Sequence, residues 1–146
     1  MSTMSRSVSP LAHRRVAVLV VDEKPEERGQ LRSMLERERA AWEVLEAGSA
    51  AECLALLAAR AVHVVLLEVI LRGGGGLELC KAIKRRHRVP VVFVSGVATG
   101  VNHRVLGLDS GADDYITRPT SSIVLAARLE AILRRWWPEG LRVVAG

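Results

Sequence analysis

The chain has 146 residues, 49% of them hydrophobic and only 3% aromatic, with 21 Lys and Arg against 16 Asp and Glu, a formal net charge of +5. This suits one globular domain cored by Val, Leu, Ile and Ala; the modest basic excess permits an acidic or nucleic-acid partner without requiring one. The opening MSTMSRSVSPLAHRR has no apolar signal core and no apolar run is long enough to span a bilayer, so no membrane segment is expected and a cytoplasmic location is.

Residues 1–14 are expected to form a loose tail, 15–137 the domain, and 138–146 a second tail or the start of a linker towards an output domain. VAVLVV, Val16 to Val21, is a continuous apolar run, the pattern of a parallel strand buried on both faces. A helix follows from Pro25 to Arg39, with Pro25 in its first turn and Leu31, Met34 and Leu35 at helical spacing. WEVLEA, Trp42 to Ala47, is the next strand. Ser49 and Glu52 form a capping box for a helix carrying Leu54, Leu56 and Leu57. Val62 to Val69 is a second buried strand, and Gly76 to Arg86 a helix with Leu77, Cys80 and Ile83 opposite Lys81, Lys84 and Arg85.

Val89 to Ser95 is again a strand, Val97 to Gly107 a shorter helix, and Asp114 to Thr117 the last strand. Ser121 or Ser122 caps a final helix carrying Ile123, Leu125, Leu129 and Ile132 and ending at Pro138. Cys53 and Cys80, the two cysteines, sit among apolar residues and are expected as buried free thiols. The histidines are scattered and suggest neither a metal set nor a phosphorelay helix.

Strand and helix alternating five times predict an α/β fold, a five-stranded parallel sheet with helices on both faces. Such folds place their chemistry outside the C-terminal strand ends. Asp22, Glu23, Glu68, Ser95, Thr117 and Arg118 all fall on that rim. Clustered carboxylates repel and invite a counter-charge, either a hard cation such as Mg²⁺ or the Arg118 guanidinium.

VLVVDEKPEE, LLEVILRGGGGLEL, VVFVS and GADDYITRP occur in this order, and together they resemble the receiver domain of two-component response regulators over Val16 to Trp136. The resemblance implies the (βα)5 flavodoxin-like fold and a regulatory, non-enzymatic role. It implies that Asp22 and Glu23 are the acidic pair that holds Mg²⁺, with Glu68 and the Ile70 carbonyl completing the site. Glu68 falls on the phosphoacceptor position, Ser95 on the switch hydroxyl, Tyr115 on the switch aromatic, and Arg118-Pro119 on the lysine-proline pair.

The departures are as informative. Glutamate is one methylene longer than the family's aspartate, and Arg118 offers a flat, bulkier fork than lysine. Arg72 and Gly73 to Gly76 stand where the family has a more structured loop, which is expected to loosen the metal site. A built-in Glu68–Arg118 ion pair is expected, standing for either an active or an inactive state. The main expectation is a phosphorylation-independent receiver acting as an interaction or dimerisation module through its last strand and last two helices. Arg128, Arg135, Trp136 and Trp137 are the contact candidates, towards a homodimer or another signalling protein. Two alternatives stay open: a Mg²⁺-dependent phosphoacceptor served by a histidine kinase, and a nucleic-acid binder using the basic stretch Lys81 to Arg88, although direct nucleic-acid contact is not expected.

Overall fold

Hydrogen bonding joins the Val-rich segments into one parallel sheet of order β2-β1-β3-β4-β5. The computed structural model describes residues 15–71, 75–96, 105 and 107–138. Its elements are β1 (Ala17–Val21), α1 (Pro25–Glu38), β2 (Glu43–Ala47), α2 (Ala50–Ala59), β3 (Val64–Leu67), α3 (Gly75–Arg86), β4 (Val91–Ser95), β5 (Asp114–Thr117) and α4 (Ser122–Trp136). The helix expected over Val97 to Gly107 lies largely outside the described residues, as do the two tails apart from Pro138; residues 105 and 107–109 are helical.

Alternation along the strands sends successive side chains to opposite faces. Leu19, Val21, Val65, Leu67, Phe93 and Tyr115 meet Cys53 and Leu57 of α2 and Leu79, Cys80 and Ile83 of α3. Val18, Val20, Leu66, Val92, Val94 and Ile116 meet Leu31 and Leu35 of α1 and Leu125, Leu129, Ile132 and Leu133 of α4. Every residue of β1, β3 and β4 is therefore buried, which is why these strands read as continuous apolar runs.

The helix starts follow local chemistry. Pro25 occupies the first turn of α1. Ser49 Oγ accepts from Glu52 N at 3.1 Å, while the Glu52 carboxylate accepts from Gly48 N at 2.6 Å, one residue earlier than a standard capping box. Ser121 caps α4 by accepting from Val124 N at 3.1 Å. Cys53 and Cys80 are buried and free, and burial pushes the Cys53 thiol up to about 12.

Three expectations are corrected. β3 is shorter than Val62 to Val69 at both ends, and β4 begins at Val91 because Pro90 has no N–H for a ladder. Ile123 is not core but 67% exposed. It stands two residues before Leu125, about 200° around the helix from that sheet-facing side chain. Glu130 takes a buried place in α4 that its charge did not suggest.

Candidate functional site

Parallel pairing brings the expected rim residues together. Val21 and Leu67 are cross-strand partners, and the Glu68 N–H donates to Val21 O at 3.0 Å, so Asp22 and Glu68 leave the sheet side by side. Ser95 pairs with Thr117 at the other edge, and the Arg118 N–H donates to Ser95 O at 3.0 Å. Arg28 of α1 buttresses the first strand end, donating to Asp22 O at 2.6 Å and to Glu46 Oε1 at 3.0 Å.

Arg118 reaches back across this rim and is 18% exposed. Its Nη1 donates to Glu27 Oε1, its Nη2 donates to Asp22 Oδ2 at 3.3 Å, and the same Nη2 stands 3.8 Å from Glu68 Oε1. Its buried Nε has no hydrogen-bond partner among the described residues. The expected Glu68–Arg118 pair is therefore the loosest of three contacts. The reason is local: Glu68 folds back on its own loop, Oε2 accepting from the Ile70 N–H at 3.2 Å, and the Ser95 hydroxyl also bonds to it.

Glu27, whose carboxylate also accepts from the guanidinium, was absent from the expected set. Its signal was the acidic run DEKPEE, whose last residues enter the first turn of α1. The rim opens into a cavity of about 680 Å³ lined by Asp22, Glu23, Glu27 and Glu68 together with Ile70, Arg118 and Pro119.

A hard divalent cation is one answer to such a rim, but the donors do not fit one as arranged. Mg²⁺ requires oxygens converging octahedrally at roughly 2.1 Å. Here Asp22 Oδ1 accepts from Lys24 N at 3.0 Å, Asp22 Oδ2 faces Arg118, and Glu68 Oε2 is taken by Ile70 N. Among the described residues, no three His, Cys, Asp or Glu side chains gather to hold a metal. The expected set of Asp22, Glu23, Glu68 and the Ile70 carbonyl is thus not assembled; a guanidinium lies between two of its carboxylates.

The glycine run also reads differently. Arg72, Gly73 and Gly74 lie outside the described residues, whereas Gly75 and Gly76 begin α3. Gly75 has φ +73°, which favours glycine. Gly76 is buried hard against the Glu68 and Val69 backbone, so it is a close-approach residue rather than a loosening one.

Burial is the main force holding the Glu68 carboxyl above its ordinary range; Asp22 adds to it, while the Ile70 N–H and the Ser95 hydroxyl oppose it. A carboxyl whose folded pKa is raised contributes stability that is complete below the unfolded pKa and lost as pH rises through the folded one. Glu68→Gln is therefore expected to raise the thermal midpoint by a few degrees at about pH 7, with the gain vanishing near pH 4. Paired melts across that range check it; a gain that persists at low pH would assign the effect elsewhere.

The remaining candidates divide between the two ends of the sheet. Ser95 is buried, and Tyr115 is buried against Phe93 with ring centroids 5.9 Å apart. Arg128 is tied to Asp114 at 3.0 and 2.8 Å, and Arg135 is exposed. Trp136 Nε1 donates to Asp113 Oδ1 at 3.0 Å and Trp137 Nε1 to His63 O at 3.1 Å. Asp113 and His63 precede β5 and β3, so the tryptophans close the pole opposite the rim with their N–H groups satisfied internally. In the basic stretch, Lys81, Arg85, Arg86 and Arg88 are exposed, while Lys84 is drawn to Asp113 at 2.9 Å. No described helix is long and apolar enough to cross a membrane.

Comparison with known proteins agrees with the fold. Residues 18–130 match the response regulator receiver domain family. The chain is 34% identical over 119 residues to the sensory transduction protein RegX3 of Mycolicibacterium smegmatis, covering 82% of this chain but 51% of that protein. It thus spans about half the length of this curated relative. The CheY-like receiver domain protein of Methanospirillum hungatei JF-1 superposes with TM-score 0.76 at 27% identity, over 87% of this chain and 100% of that one. A BeF3-activated DrrB receiver domain gives TM-score 0.72 at 25% identity, over 84% and 100%.

Proposed function

This chain belongs to the response regulator receiver family, and we propose that it is a signalling receiver that acts by contact with another protein and does not depend on phosphorylation of its strand-end carboxylate. The observation that carries this reading is the state of Glu68. In the family the residue ending this strand is the aspartate that attacks the phosphoryl group. Glu68 has one more methylene, and its carboxylate is held by the Ile70 N–H and the Ser95 hydroxyl. A displaced nucleophile of this kind costs on the order of 100-fold in rate. The contact surface runs over β5, the helical residues 105 and 107–109, and α4; Val105, Leu108, Ile123, Val124 and Arg135 are exposed on these elements and Arg128 is half-buried. A second copy of the chain or another signalling protein is the partner of this reading.

A second reading, a Mg²⁺-dependent phosphoacceptor, is favoured by the relatives: RegX3 is a sensory transduction protein, and the DrrB receiver was captured in a BeF3-activated form. One experiment separates the two. The protein is incubated with Mg²⁺ and acetyl phosphate, or with beryllofluoride, and its intact mass, tryptophan emission and oligomeric state are followed. Unchanged mass, emission and assembly are expected. A phosphoryl gain mapped to Glu68 would establish the second reading and remove the first.

A further inference from the structure

Resting on that reading of the pocket, we propose that Arg118 is the pocket's resident cation, holding the place a divalent metal would need. Three carboxylates on three different elements converge on one guanidinium: Glu27 from α1, Asp22 from the end of β1, and Glu68 from the end of β3. The side chain is anchored at its base as well, because the Arg118 N–H is bonded to Ser95 O at 3.0 Å. It is largely buried, so this is not a surface pair that solvent screens.

Metal and guanidinium exclude each other here for two reasons. Nη2 of Arg118 stands between the Asp22 and Glu68 oxygens, at 3.3 and 3.8 Å, in the place where an octahedral Mg²⁺ would have to draw both oxygens onto one point. The repulsion between a divalent ion and the adjacent guanidinium cannot be relieved by deprotonation, because arginine stays charged where a lysine can lose its proton. The charge state of the rim is thus set by the chain itself, and α1, β1, β3 and β5 are drawn together without a bound ion.

The test is a Mn²⁺ titration of the whole chain, followed by the loss of the free-ion paramagnetic resonance signal. Mn²⁺ suits the same oxygen donors as Mg²⁺. Wild type, Arg118→Lys, Arg118→Ala and the double variant Arg118→Ala with Asp22→Asn are compared. Arg118→Ala is expected to bind Mn²⁺ at least about tenfold more tightly than wild type, since removing one adjacent positive charge favours a cation by at least that order. Arg118→Lys is expected between the two, and the double variant should fall back to the wild-type level.

Equal affinity in wild type and Arg118→Ala, or undiminished affinity in the double variant, would overturn the proposal. Should Arg118→Ala melt before it can be titrated, Arg118→Lys decides: tighter binding than wild type supports the proposal and equal binding overturns it. No phosphoryl donor is present, so the outcome is separate from that of the acetyl phosphate experiment. Tight Mn²⁺ binding by wild type without phosphorylation would sink this inference and leave the phosphorylation-independent reading standing.

Discussion

Gly76→Ala is expected to destabilise the fold by about 2–4 kcal/mol, a loss of the order seen when a buried site is overpacked. A Cβ on Gly76 would stand 2.3 Å from Glu68 O, 2.7 Å from Val69 O and 2.8 Å from Val69 Cα. All three atoms are backbone, so no rotamer change relieves the contact. The first turn of α3 would have to withdraw from the end of β3, lengthening the 2.6 Å bond from Gly76 N to Val69 O and displacing Glu68 with it. Gly29→Ala in α1 is the matched control, because nothing lies within 4 Å of its added methyl. In a helix interior that change should stabilise by about 0.5–1 kcal/mol. Urea unfolding of the two variants checks both signs; a Gly76→Ala midpoint equal to wild type would show that α3 can withdraw from β3 without cost.

The second large effect lies between α1 and α4. Glu130 is 2% exposed, held by Arg39 at 2.8 Å and by Arg134 at 3.2 Å. Arg39→Ala leaves that carboxylate buried with only Arg134, itself 57% exposed, and should cost about 3 kcal/mol. Arg134→Ala should cost under about 1 kcal/mol, since an exposed i,i+4 partner is screened by solvent. Replacing both members of the buried pair, Arg39→Met with Glu130→Leu, should recover most of the loss, because apolar groups of similar volume need no counter-charge. Urea midpoints of the three variants test the order; an Arg39→Ala cost no larger than that of Arg134→Ala would mean that Glu130 is solvated.

The sites of these two predictions differ in how far the sequence announced them. The glycine run was visible, but its meaning was not. Glycine reports that a side chain is absent without saying whether another backbone fills the space, and Gly76 is filled by Glu68 and Val69 while Gly29 is open. Nothing in the sequence singled out Glu130, because its partner Arg39 lies 91 residues away, beyond the reach of any periodicity. Ile123 groups with Leu125, Leu129 and Ile132 as an apolar residue of the final helix, yet it is exposed, because Leu125, Leu129, Ile132 and Leu133 already supply the buried stripe. Trp136 and Trp137 are contact candidates by their place near a helix end; that their N–H groups bond to Asp113 and to His63 O within the chain could come only from the fold.

The sequence by itself determined the alternation of strands and helices, the parallel sheet, and the meeting of Asp22, Glu68, Ser95 and Arg118 on one rim. Apolar runs and helical spacing are local properties of the chain, and in a parallel sheet all strands end on the same side. The tertiary structure alone decided which charges pair across that rim. Arg118 sits on a long, flexible stem, and several carboxylates fall within its reach. Its turn towards Glu27 and Asp22, with Glu68 left at 3.8 Å, depends on how α1 packs beside β1 and β5 and on Glu68 folding back to Ile70. Identity and spacing place a carboxylate at a strand end; only packing decides which cation answers it.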